Sequence, residues 1–210
     1  MASITNSQTH VVGQARSVAQ IIEASSTIEG GGFEVYRPFP GRAVDWFDPF
    51  LLLDEMAPHH QAPGEAIGAP AHPHRGFETV TYILQGEVEH RDSAGHHGVI
   101  GPGDVQWMTA GDGIVHSEMP STRIQTEGGV GHGLQLWVNL PAALRRTPPT
   151  YQALLAGDIA SVSGQGWSAD VVAGSMLGAD GPAVTHTPIS FARVTVQPGS
   201  TLHIPTTEGH

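Results

Sequence analysis

The chain contains no cysteine among its 210 residues, which removes disulfides, thiolate zinc sites, iron–sulfur clusters and cysteine nucleophiles from consideration. Any metal must be held by nitrogen and oxygen. Basic residues are scarce: 9 Lys plus Arg stand against 20 Asp plus Glu, for a formal net charge of -11. Such a surface repels phosphate backbones and anionic lipid at neutral pH, so direct nucleic-acid binding is not expected and a transcriptional role would have to run through a protein partner. No run of about 18 apolar residues occurs, and no apolar stretch with a small-residue cleavage site opens the chain. The expectation is a soluble cytoplasmic protein with no membrane role. Charged residues make up only 14% of the chain, whereas 27 residues are Gly and 16 are Pro. That balance suits many short strands joined by tight turns, so an all-β fold is expected.

Along the chain, residues 1 to 15 are polar and unpatterned, and Ser17 to Glu23 is a short apolar stretch compatible with a strand or a helical turn. Phe33 to Arg37 alternates at strand period, and Asp48 to Glu55 is an apolar run bounded by turn residues, which predicts a buried strand. Residues 57 to 71 hold Pro58, Pro63, Gly64, Gly68 and Pro70 and read as a loop delivering His72 and His74. Phe77 to Leu84 is rich in β-branched and aromatic residues, and Glu87 to Asp92 is expected to return against it as a hairpin through Gln85-Gly86. Ser93-Ala94-Gly95 predicts another turn. Gly101-Pro102-Gly103-Asp104 and Ala110-Gly111-Asp112-Gly113 predict turns before two further strands, the second carrying His116 and Glu118. Pro141 to Pro149 contains three prolines and marks a boundary between a unit spanning 1 to 145 and a shorter one spanning 146 to 210, with strands at Phe191 to Val196 and Thr201 to Ile204.

Two runs carry the chemistry. In an extended strand, side chains at i and i+2 share a face, so His72 with His74, and His116 with Glu118, can each converge on one ion. Neutral imidazoles and a carboxylate are ligands for first-row divalent metals. The chain has 13 histidines, and some close pairs must arise by chance. His59-His60 and His96-His97 are adjacent residues that face opposite ways on a strand and are not expected to be ligands. Glu78 competes with Glu118 for a fourth place, because it shares parity with His74 if the strand is unbroken, and spacing does not choose between them. Ligating imidazoles usually donate their other N–H to a polar partner. Arg75, His90 and Gln106 are near enough in sequence to serve. Trp107, Phe77 and Phe50 are read as core residues.

The surrounding residues resemble the pirin family of the cupin superfamily. The likeness is carried by Asp48 to Glu55, His72 to Tyr82, Gly86, Glu89 to Asp92, Gly98 to Gly111 and Gly113 to Glu118, and extends from about residue 15 to the end. The resemblance implies a bicupin: an all-β cupin (jelly-roll) barrel, whole over residues 1 to 145, and a second, truncated cupin barrel over 146 to 210. It implies one metal, usually iron, on His72, His74, His116 and Glu118, which favours Glu118 over Glu78 and leaves Glu78 beside the ligands. Fe(II) is expected, and Mn, Ni, Co, Cu or Zn would accept the same ligands. The resemblance further implies a quercetin 2,3-dioxygenase, in which O2 opens the heterocycle of a flavonol and carbon monoxide is released, with Glu118 as ligand and general base. The alternative it implies is a non-enzymatic, iron-dependent regulator that binds a transcription factor or a metabolic enzyme. An apolar cavity opening onto the metal favours the enzyme, and a closed site favours the sensor.

Overall fold

The computed structural model describes residues 15–45 and 47–205. The strands are β1 (Ser25–Glu29), β2 (Phe33–Phe39), β3 (Phe50–Gln61), β4 (Ala69–His74), β5 (Phe77–Gln85), β6 (Val88–Asp92), β7 (His97–Ile100), β8 (Val105–Thr109), β9 (Ile114–Pro120), β10 (Gly129–Asn139), β11 (Thr150–Leu154), β12 (Ala160–Gly164), β13 (Trp167–Ala173), β14 (Ser175–Met176), β15 (Ala179–Asp180) and β16 (Phe191–Val196). One short helix, α1 (Thr122–Glu127), follows β9 and is capped by Ser121, whose side chain accepts from the Ile124 amide. Among the described residues no helix is long and apolar enough to cross a membrane.

A seven-stranded sheet in the order β1-β2-β3-β10-β5-β8-β11 faces a four-stranded sheet in the order β4-β9-β6-β7. Every pairing is antiparallel, so each strand alternates between an inward and an outward face. On the outer face of the large sheet, Val80, Tyr82, Val105, Trp107 and Val138 form a buried cluster with Val172 and Ala173 of β13 and with Phe191 of β16 packed against it. The three-stranded sheet β12-β13-β16 therefore covers this face, which explains why β8 is buried at all five positions. Trp107 and Phe50 belong to this core.

Several sequence expectations change in detail. The residues after Gly86 do not return against β5: β5 lies in the large sheet, whereas β6 pairs with β7 and β9 in the small one. Gly86 makes the crossing with φ +86°, and a Cβ there would stand 2.8 Å from the Val130 carbonyl oxygen, so the chain turns between sheets rather than within one. β3 continues to Gln61, shortening the expected loop, because β10 supplies backbone partners as far as Gln61. Residues 17–24 and 201–204 form no regular element, and residues 1–14 lie outside the described region. β11, which follows the boundary drawn at 145/146, is the edge strand of the large sheet beside β8.

Candidate metal centre

The register of the small sheet assembles the site. β9 is flanked by β4 and β6: His72 lies directly opposite His116 on one side, and on the other Asp92 lies opposite His116 and His90 opposite Glu118. Directly opposed residues share a face, as do i and i+2. His72, His74, His90, Asp92, His116 and Glu118 therefore all point inward.

Three of them converge. One ligand atom from each of His72, His74 and His116 lies within 4.8 Å of the others, and the ring centroids are separated by 4.4 to 4.8 Å. His72 Nδ1 donates to the Pro70 carbonyl at 2.6 Å, which leaves its Nε2 with the lone pair. His74 Nε2 and His116 Nε2 are buried and have no hydrogen-bond partner. Burial is the main reason both imidazoles stay neutral. It pushes His74 down to about 4, helped by His116 and His72 and opposed by Glu118, and pushes His116 down to about 3, helped by His72 and His90 and opposed by Asp92. Unpartnered buried nitrogens cost about 1–3 kcal/mol each, a cost that coordination removes. Three imidazoles with ligand atoms this close together, two of them with buried, unpartnered Nε2 atoms, fit a divalent first-row metal and do not select among such metals.

Glu118 faces the same interior, but its carboxylate is not within the group of mutually close ligand atoms. The large sheet holds it. Thr81 lies directly opposite both Gln135 and Gln106 in neighbouring strands, and all three side chains donate to Glu118: Thr81 Oγ1 to Oε1 at 2.8 Å, Gln106 Nε2 to Oε1, and Gln135 Nε2 to Oε2 at 2.9 Å. Each carboxylate oxygen accepts about two hydrogen bonds. Oε1 is saturated and Oε2 keeps one acceptor position.

The other expected residues divide. Gln106 touches Glu118, and His90 Nδ1 lies 3.3 Å from His116 Nδ1. Arg75 points to solvent and pairs with Asp112 at 2.9 Å. Glu78 faces the opposite side of the large sheet, where it accepts from Thr109 Oγ1 at 2.7 Å and bonds His186 Nδ1 at 2.8 Å. Its parity argument fails because β4 ends at His74 and β5 begins at Phe77, with Gly76 at φ +82° between them. Of the other histidines, His96 bonds Asp92 and His97 bonds Glu89. Thr81, Gln135 and Asp92 were missed by the sequence reading. The same i, i+2 rule would have found Asp92 beside His90, and Gln135 is a polar residue within the alternating apolar strand 134–138.

A cavity of about 960 Å³ opens onto this group, lined by His72, His74 and Glu118 and by apolar side chains that include Leu52, Met56, Ile83 and Trp137. Phe77, expected in the core, also lines it; its ring packs on Trp137 at 4.5 Å with 31° between planes and meets His74 edge-on at 5.2 Å.

Residues 32–138 match the family model described as Pirin, just over half of the chain. The chain belongs to the pirin family. It is 44% identical over 189 residues to Pirin-like protein 2 of Arabidopsis thaliana, covering 90% of this chain and 56% of that one. It is 38% identical over 199 residues to Pirin of Homo sapiens, covering 94% and 65%. A crystal structure of quercetin 2,3-dioxygenase from Acinetobacter baumannii aligns with a TM-score of 0.72 at 43% identity, covering 81% of this chain and 61% of that chain. The fold is the cupin fold of these relatives, and the chain spans less than two thirds of the length of the pirins it matches here.

Proposed function

We propose that the chain holds one divalent metal on His72, His74 and His116 and opens the heterocycle of a flavonol with O2. The observation that carries this reading is the apolar cavity that reaches His72 and His74 of the three-histidine group. At about 960 Å³ it lies at the upper end of small-molecule sites, which span roughly 300–1,000 Å³. The likeness to a quercetin 2,3-dioxygenase supplies the substrate class. A divalent metal bound there supplies Lewis acidity and an electron path between a deprotonated flavonol and O2.

The chain's own residues bind, orient and deprotonate. Phe77 and Trp137 present aromatic surface beside His74, which suits a flat polyphenol. Glu118 Oε2, with its one free acceptor position, takes the proton of the flavonol 3-hydroxyl, while Thr81, Gln106 and Gln135 hold the carboxylate still. The same position on Oε2 is the one with which Glu118 would complete the ligand set that the family resemblance implies, so base and fourth ligand are alternative roles of that oxygen and not simultaneous ones. Fe(II) is the metal we favour.

The test is an aerobic and an anaerobic assay of the full chain with quercetin, alongside His74→Ala. O2-dependent loss of quercetin with carbon monoxide release in wild type, absent from the variant, supports the reading. A wild-type protein that keeps its metal and turns over no flavonol contradicts it and favours a regulator acting on a protein partner.

A further inference from the structure

Behind His116 lies a second imidazole and behind that a carboxylate. His90 is fully buried; its Nδ1 is 3.3 Å from His116 Nδ1, and its Nε2 is 3.0 Å from Asp92 Oδ2. An ionised carboxylate only accepts, so His90 Nε2 carries the hydrogen. In its neutral form His90 then has its single N–H on Nε2 and offers Nδ1 as an acceptor. His116 Nδ1 must then be the donor, and the lone pair of His116 falls on Nε2, the buried nitrogen with no partner in the protein.

Both outer groups are fixed in place. Asp92 Oδ1 accepts the backbone N–H groups of Ala94 at 2.9 Å and His96 at 3.0 Å, while Oδ2 also meets the His96 ring nitrogen at 2.8 Å. The His90 ring is stacked on Tyr151 at 4.4 Å with 19° between planes. Tyr151 comes from β11 and Asp92 from the far end of β6, so both sheets contribute to the alignment.

We propose that Asp92 and His90 form a relay that sets the tautomer of His116 and so directs its Nε2 lone pair at the metal position. The proposal rests on the metal reading above. Asp92 and His90 act through His116 and are positioning residues. Their side chains are spaced i, i+2 on β6, the strand parity that also pairs His72 with His74.

Asp92→Asn reverses the relay with almost no change of shape. The Ala94 and His96 amides still require an acceptor at the Oδ1 position, which turns the new NH2 group toward His90. His90 Nε2 then becomes the acceptor, His90 Nδ1 donates to His116, and the hydrogen of His116 moves to Nε2. Histidine ¹⁵N spectra of the metal-free full chain near neutral pH read this directly. Wild type should show an unprotonated His116 Nε2 and a protonated Nδ1, and Asp92→Asn the opposite. Ni(II) affinity measured by titration should fall by about 10- to 100-fold, the range typical for partners of metal ligands. Reduced stability with an unchanged His116 tautomer, or a reversed tautomer with unchanged Ni(II) affinity, overturns the proposal. A wild-type His116 protonated on Nε2 overturns it without any variant, should Asp92→Asn fail to fold. Wild type that binds no Ni(II) counts against the metal reading instead, and the wild-type tautomer still decides whether the relay exists.

Discussion

At the scale of single residues, the imidazoles of His74 and His116 are neutral because burial strips them of water. His74 is held at about 4 and His116 at about 3, against about 6.5 for histidine in an unfolded chain. Between about pH 3 and 6.5 the unfolded chain therefore binds more protons than the folded one. Metal-free protein should keep its full stability above that window and lose it as the pH falls through it, which urea titrations at several pH values would show. A stability that rises on acidification contradicts this. Glu118 gives a second prediction. Thr81→Val removes one of three donors to its carboxylate, and hydrogen bonds to charged groups are worth about 1.5–3 kcal/mol, so the metal-free protein should lose about that much in urea unfolding.

At the scale of elements, the i, i+2 parity of β4 and β9 was legible in the sequence, because strand geometry alone places His72 with His74 and His116 with Glu118. Which strands would lie side by side was not. β6 looked like the partner of β5, but the constraint that sends it to the other sheet is tertiary: Gly86 passes close to the Val130 carbonyl of β10. Gly86→Ala should cost more than about 1 kcal/mol, since alanine in a positive-φ position is strained and its Cβ meets that oxygen; a neutral result in urea unfolding contradicts the crossing. Glu78 was misplaced for a similar reason, as a break of two residues resets the parity of a strand. Its observed partners tie β5 to β8 and to the segment holding His186. His186→Ala should speed amide exchange around residues 183–191 and leave β5 protected.

At the scale of the whole molecule, the large sheet is the layer that both regions share. Its inner face supplies Thr81, Gln135 and Trp137 to the cavity, and its outer face supplies Val80, Tyr82 and Trp107 to the core beneath β13 and β16. β11 after the prolines lies at the edge of that sheet and brings Tyr151 against His90. Composition made the all-β class legible, and the pirin resemblance made the cupin fold so. Neither could show that the cavity remains open beside His72 and His74. The most direct test of the account is metal analysis of the full chain purified without added metal, with His74→Ala and His116→Ala beside it. The account predicts close to one divalent metal per wild-type chain and loss of that metal in both variants at preserved fold. Wild type without bound metal, or folded variants that retain it, would contradict the assignment of His72, His74 and His116.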